Sequence, residues 1–92
     1  MMKNPVHPGA ILREDVVAAL GISAAEAARR LKVPARSLRR VLHEVAPIDA
    51  DLAVRLEQAG MSTALAWLTM QKRYDLAQAR KRAVPHSSKL AV

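Results

Sequence analysis

The sequence predicts an all-helical domain, and three observations carry that prediction. The chain is rich in Ala, Leu, Arg and Glu, which favour helix. Only three of its 92 residues are Gly, and no run alternates Val, Ile or Thr with polar residues as a strand would. Apolar residues instead recur at three- and four-residue spacing between clear start and stop signals.

Five helices follow in order. The first opens at Pro8, suited to a first helical position. It carries Ile11, Leu12, Val16, Ala19 and Leu20 and ends at Gly21. The second starts with Ser23-Ala24-Ala25-Glu26, the pattern of a capping box. Its apolar positions Ala24, Ala27, Ala28 and Leu31 are nearly all Ala, so a neighbouring helix can approach closely. Lys32 stands where Gly would usually end it. The third runs from Pro34 to about His43 or Glu44, with Leu38, Val41 and Leu42 as its apolar stripe. Val45 to Ile48 is a linker. Asp49 caps a fourth helix with Leu52, Leu56 and Ala59 inward and Gly60 closing it. Ser62 caps the fifth and longest, which reaches about Arg82 and stops before Pro85.

The fifth helix has two apolar stripes. Leu65, Leu68 and Leu76 can pack on the core. Trp67, Met70, Tyr74 and Ala77 lie on a neighbouring face. The second stripe is either a broadening of the core face or a partner surface, most simply that of a two-fold homodimer.

A chain of this length makes one domain, placed at 1–84, with a flexible tail over 85–92. Hydrophobic residues make up 51%, which argues against wholesale disorder. With one Trp, one Tyr and no Phe, the core must be aliphatic. No Cys is present, which excludes a disulfide scaffold and thiolate metal sites. No apolar run approaches the roughly 18 residues of a membrane span, and MMKNPVHPGA lacks the apolar stretch of a signal peptide. A cytoplasmic protein with no membrane partner is expected. So small a domain leaves little room for a cofactor, and none is expected.

Charge is unevenly placed. The net charge is +7. Arg29, Arg30, Lys32, Arg36, Arg39 and Arg40 form one acid-free patch, and residues 71–92 form a second with Asp75 as the sole acid. Two basic patches on a mildly acidic remainder point to a polyanion, with nucleic acid ahead of a membrane surface. On the third helix, Arg36, Arg40 and His43 lie almost opposite the apolar stripe, with Arg39 beside them. Two short helices joined by a tight turn, the second with an outward basic face, describe a helix-turn-helix. Arg is suited to paired bonds with guanine in the major groove, while Lys, Ser and backbone donors hold phosphates.

HPGAILRED, LGIS, AARRLKVPARSLRRVLHE and IDADLAVRLEQAGMSTALAWLTMQKRYDLAQA together resemble HigA-type antitoxins, the virulence-associated protein I-like members of the Xre/Cro helix-turn-helix class. The resemblance spans His7 to about Arg82 in one register. It implies a five-helix Cro/lambda-repressor-like domain with a long C-terminal helix. It also implies a dimer on a palindromic operator at its own promoter, and a cognate HigB-type toxin, a small mRNA-cleaving protein, as partner. Position by position, it places DNA contacts at Ala35, Arg36, Ser37, Arg39 and Arg40, with Ser23 and Lys32 placed to hold phosphate; His43, on the outward face of the third helix, reads as either a residue near DNA or a plain surface residue. Many relatives carry a Gly-Lys-Arg-like turn where this chain has Glu44-Val45-Ala46, so a phosphate contact is expected to be missing there.

No metal site is expected, because neither His7 nor His43 has a second ligand at suitable spacing and His86 lies in the tail. Asp49 and Asp51 read as helix-start residues, not a catalytic pair, and no enzyme is expected. Two rival readings keep the fold: a regulator with no toxin partner, and a toxin-binding module that has lost specific DNA binding.

Overall fold

A computed structural model describes residues 4–82 and 87–90. Helix α1 opens as an α-helix over Pro8–Ile11 and continues as a π-helix over Leu12–Ala18. It is followed by α2 (Ala24–Leu31), α3 (Ala35–Leu42), α4 (Ala50–Gln58) and α5 (Ala64–Arg82). No strand occurs among the described residues, and no helix is long and apolar enough to cross a membrane. The expected tail is described only over residues 87–90, which are exposed and non-helical. The rest of it lies outside the described residues, as does His86.

The π-helical stretch alters the inward face of α1. Its i→i+5 bonding widens the turn, so residues five apart share a side. Leu12 and Val17 are buried, whereas Ala19 and Leu20, expected on the apolar stripe, are exposed. At the start of α2, Ser23 Oγ accepts from Glu26 N–H at 3.0 Å. The expected reciprocal bond from Glu26 is not made. Its carboxylate turns along the helix to Arg29 Nε (2.9 Å) and Arg30 Nε (2.7 Å). Asp49 caps α4 through Leu52 N–H (2.9 Å), but Ala59, expected inward, is exposed.

The cap of α5 also differs from expectation. Thr63 Oγ1 accepts from Ala66 N–H at 3.1 Å, while Ser62 sits at φ 64° in the turn before it. The helix turns Trp67 and Gln71 to the interior. Trp67 is the largest side chain in an aromatic-poor core, and its indole N–H donates to the Met61 carbonyl at 2.6 Å. At about 100° per residue, Leu65 and Leu76 then point away from the core. Both are exposed, against the expectation that they pack inward, while Leu68 rests on the core edge. Trp67 is therefore spent within its own domain. Of the stripe expected to meet a partner, only Met70, Tyr74 and Ala77 keep partial exposure.

One aliphatic core joins all five helices: Leu12, Val17, Ala27, Ala28, Leu31, Leu38, Val41, Leu42, Ile48, Leu52, Ala53, Leu56 and Trp67.

Candidate nucleic-acid interface

α3 buries Leu38, Val41 and Leu42 and leaves Arg36, Ser37, Arg39, Arg40 and His43 in solvent. Ala35 is half-buried against the core and fixes the start of the helix. Lys32 and Ser23 are also exposed. Ser23 spends its hydroxyl oxygen on the cap of α2, though the same hydroxyl keeps its proton to donate.

Ion pairing separates the two halves of the basic patch. Glu26 holds both Arg29 and Arg30, and these guanidiniums keep its carboxyl well below the usual range, at about 2. Among the described residues, Lys32, Arg36, Arg39 and Arg40 make no ion pair. The free positive charge is therefore concentrated on α3 and the turn before it. On α2, Glu26 offsets one of the two positive charges of Arg29 and Arg30.

Both ends of α3 are fastened by arginines that the sequence reading did not single out. Before it, Arg55 of α4 donates through Nη1 to the carbonyls of Leu31 and Lys32, each at 3.2 Å, while Asp51 holds its Nε at 2.8 Å. These carbonyls belong to the end of α2 and the turn into α3, so Arg55 fixes the angle between the two helices. Lys32 adopts φ 60° there, the left-handed conformation that Gly takes easily. Val33 N–H closes the turn onto the Ala28 carbonyl at 3.0 Å.

After α3, Arg13 of α1 donates to the Leu42 carbonyl at 2.6 Å and meets Glu44 at 3.3 Å. Glu44 has φ 65°, again a position that favours Gly. Its carboxylate, which the sequence sets against a phosphate backbone, is met within the chain by Arg13.

The loop after α3 is tied down from α5. Gln71 Oε1 accepts from Ile48 N–H at 2.8 Å, and its amide donates to Asp75 at 3.0 Å. Tyr74 packs its ring edge-on against His7, with centroids 4.8 Å apart. His7 is buried and caps α1, its Nδ1 accepting from Gly9 N–H at 2.8 Å. Burial lowers its pKa, opposed by Glu44, Asp75 and the Ala46 backbone. The two stretches that look most distinctive in the sequence, HPGAILRED and WLTMQKRYDL, thus form one latch beneath α3. His7 holds one helix start, and His43 stands free on the exposed face of α3.

No family model matches the sequence. Virulence-associated protein I of Dichelobacter nodosus is 38% identical over 76 residues, covering 83% of this chain and 70% of that protein. Among solved structures, the antitoxin HigA of Pseudomonas aeruginosa with the higBA promoter is 34% identical, with TM-score 0.86 over 96% of this chain and 99% of that one. Another structure from Pseudomonas aeruginosa, of a protein in complex with its 28-base-pair operator DNA, is 36% identical, with TM-score 0.83 over 91% of this chain and 96% of that one. The helical fold shared with these structures and the identity over most of both chains agree. The chain belongs to the HigA-type antitoxins of the Xre class of helix-turn-helix regulators.

Proposed function

We propose that this chain is a cytoplasmic, non-enzymatic antitoxin that represses its own operon as a dimer and neutralises a HigB-like, mRNA-cleaving toxin. The observation that carries the DNA-binding part is the row of unpaired cations on α3, held at both ends by Arg55 and Arg13. Such a helix enters the major groove with its first residues toward base edges. Arg36 and Arg40 are the base readers, pairing with guanine O6 and N7. Lys32, Arg39 and His43 face phosphates, the Ser37 hydroxyl donates at the helix start, and Ala35 allows close approach of the backbone. The Ser23 hydroxyl proton is available to a phosphate at the start of α2. Similar proteins were solved with promoter and operator DNA, which supports the DNA-binding reading.

The homodimer surface is better sought on the other flank of α5 from the one the sequence suggests. Half-buried Leu68 and exposed Leu76 and Ala79 line a groove of about 640 Å³ beside Pro47 and Ile48, and exposed Leu65 lies on the same face of the helix. A second copy covering this face is the proposed dimer, whose two α3 helices would have to lie one helical turn apart to read successive major grooves.

The toxin assignment rests on family membership. Affinity purification of the tagged chain from its host, after nuclease treatment, tests it. A small stoichiometric protein encoded beside this gene is the expected partner. Recovery of promoter DNA with no protein would overturn the antitoxin role and leave a regulator.

A further inference from the structure

The C-terminal half of α5, where Leu76 and Ala79 border the proposed dimer groove, also holds the second basic patch. Its 19 residues make a rod about 28 Å long, in a molecule with extents of 52 × 25 × 24 Å. Gln71, Tyr74 and Asp75 lie against the loop that leaves α3, lining a common cleft with Glu44 and Pro47. The helix therefore passes the end of the recognition helix and continues for about 10 Å beyond it. Over that stretch Ala79, Arg80, Lys81 and Arg82 are all exposed.

We propose that the C-terminal half of α5 is a second DNA contact, in which Arg73, Arg80, Lys81 and Arg82 engage the phosphate backbone flanking the site read by α3. Arg73 and Arg80, seven residues apart, share one face of the helix. Lys81 and Arg82 spread charge around its last turn. The nearest acid, Asp75, accepts from Gln71. No ion pair engages these four cations among the described residues, whereas Arg13, Arg29, Arg30 and Arg55 are all paired. Cations in a last helical turn also complement the helix dipole, but that effect fades within one turn. Arg73 lies more than two turns from the end, so the dipole does not account for the row. None of the four cations lines the groove that Leu76 and Ala79 border, and no aromatic side chain lines that groove. A partner recognised by charge alone, spaced along a rod, fits the regular array of phosphates on a duplex.

This inference rests on the DNA-binding reading, and it is tested separately from base recognition. Binding is measured by fluorescence anisotropy against salt, on the promoter duplex and on a scrambled duplex of equal length. The proteins are the full chain, the R80Q/K81Q/R82Q variant and the R80K/R82K variant. The Gln variant should bind both duplexes more weakly and to a similar extent. Its slope of log affinity against log salt should be shallower by about 2 to 3, near 0.9 per phosphate released. The Lys variant should keep the slope, because a phosphate needs charge more than a planar fork. Equal helical content and thermal midpoint in all three exclude misfolding as the cause. An unchanged slope for the Gln variant on both duplexes would overturn the proposal. Failure of the α3 reading would look different: the unaltered chain would show no preference for the promoter, while the slope change on scrambled DNA would persist.

Discussion

Gly9 and Val41 are in contact across the α1–α3 crossing, so close that a Cβ on Gly9 would overlap the Val41 carbonyl oxygen. The same Cβ would also stand 2.9 Å from Nδ1 of His7. The glycine is therefore required by space, and the recognition helix sits against α1 with no side chain between the backbones.

Gly9→Ala must part the two helices or shift the His7 ring. Overpacking of this kind costs about 1–3 kcal/mol. The unfolding free energy of the variant should fall by that amount, read as a lower urea midpoint at unchanged slope. A midpoint equal to that of the parent chain would mean that α1 can move aside freely.

Lys32 carries two opposed effects. Its left-handed backbone is strained for a residue with a Cβ, at about 1–2 kcal/mol. Part of the relief in Lys32→Gly is returned as lost chain entropy, about 0.5–1 kcal/mol. The variant should be more stable by about 0.5–1 kcal/mol yet bind every duplex more weakly, with a salt slope shallower by about 0.9. Thermal melting and a salt titration read the two effects separately. Loss of both stability and affinity would contradict the assignment.

His7 gives the fold a defined pH dependence. Burial holds its folded pKa below the ordinary 6.5. Between those two values the unfolded chain binds the proton more strongly. The stability this group contributes is thus complete above pH 6.5 and falls as the pH drops toward the folded value. Protonated Nδ1 can no longer accept from Gly9, so the cap of α1 opens with it. His7→Asn retains a capping acceptor without a titrating group. From about pH 7.5 to about 5.5, the parent chain should lose more stability than this variant. Parallel curves would place the pH sensitivity elsewhere.

Helix order and the exposed cations of α3 were legible because each follows from local rules. Ser23, Asp49 and Gly60 mark ends, and a 3.6-residue period separates Leu38, Val41 and Leu42 from Arg36 and Arg40. The rotation of α5 was not legible. Both of its stripes are apolar, and only the fit of Trp67 beneath Met61 decides which one enters. The π-helical turn of α1 was hidden for a similar reason, since a 3.6 period was assumed through Val17. Arg13, Arg55 and Gln71 act across sequence separations of 23 to 31 residues. No local pattern marks them. In the sequence they are polar residues on amphipathic helices, and only tertiary packing brings them to the carbonyls and amide that fix α3.

The central claim is that α3 reads the chain's own promoter through arginines left free for that purpose. The most direct test compares binding of the promoter duplex and a base-scrambled duplex by the parent chain, Arg36→Ala and Arg40→Ala at one fixed salt concentration. The account predicts a clear promoter preference in the parent chain. Each substitution should cost about 1–3 kcal/mol on the promoter and little on the scrambled sequence, so that the preference narrows. Equal affinity of the parent chain for both duplexes, or variants that keep its full preference, would contradict it.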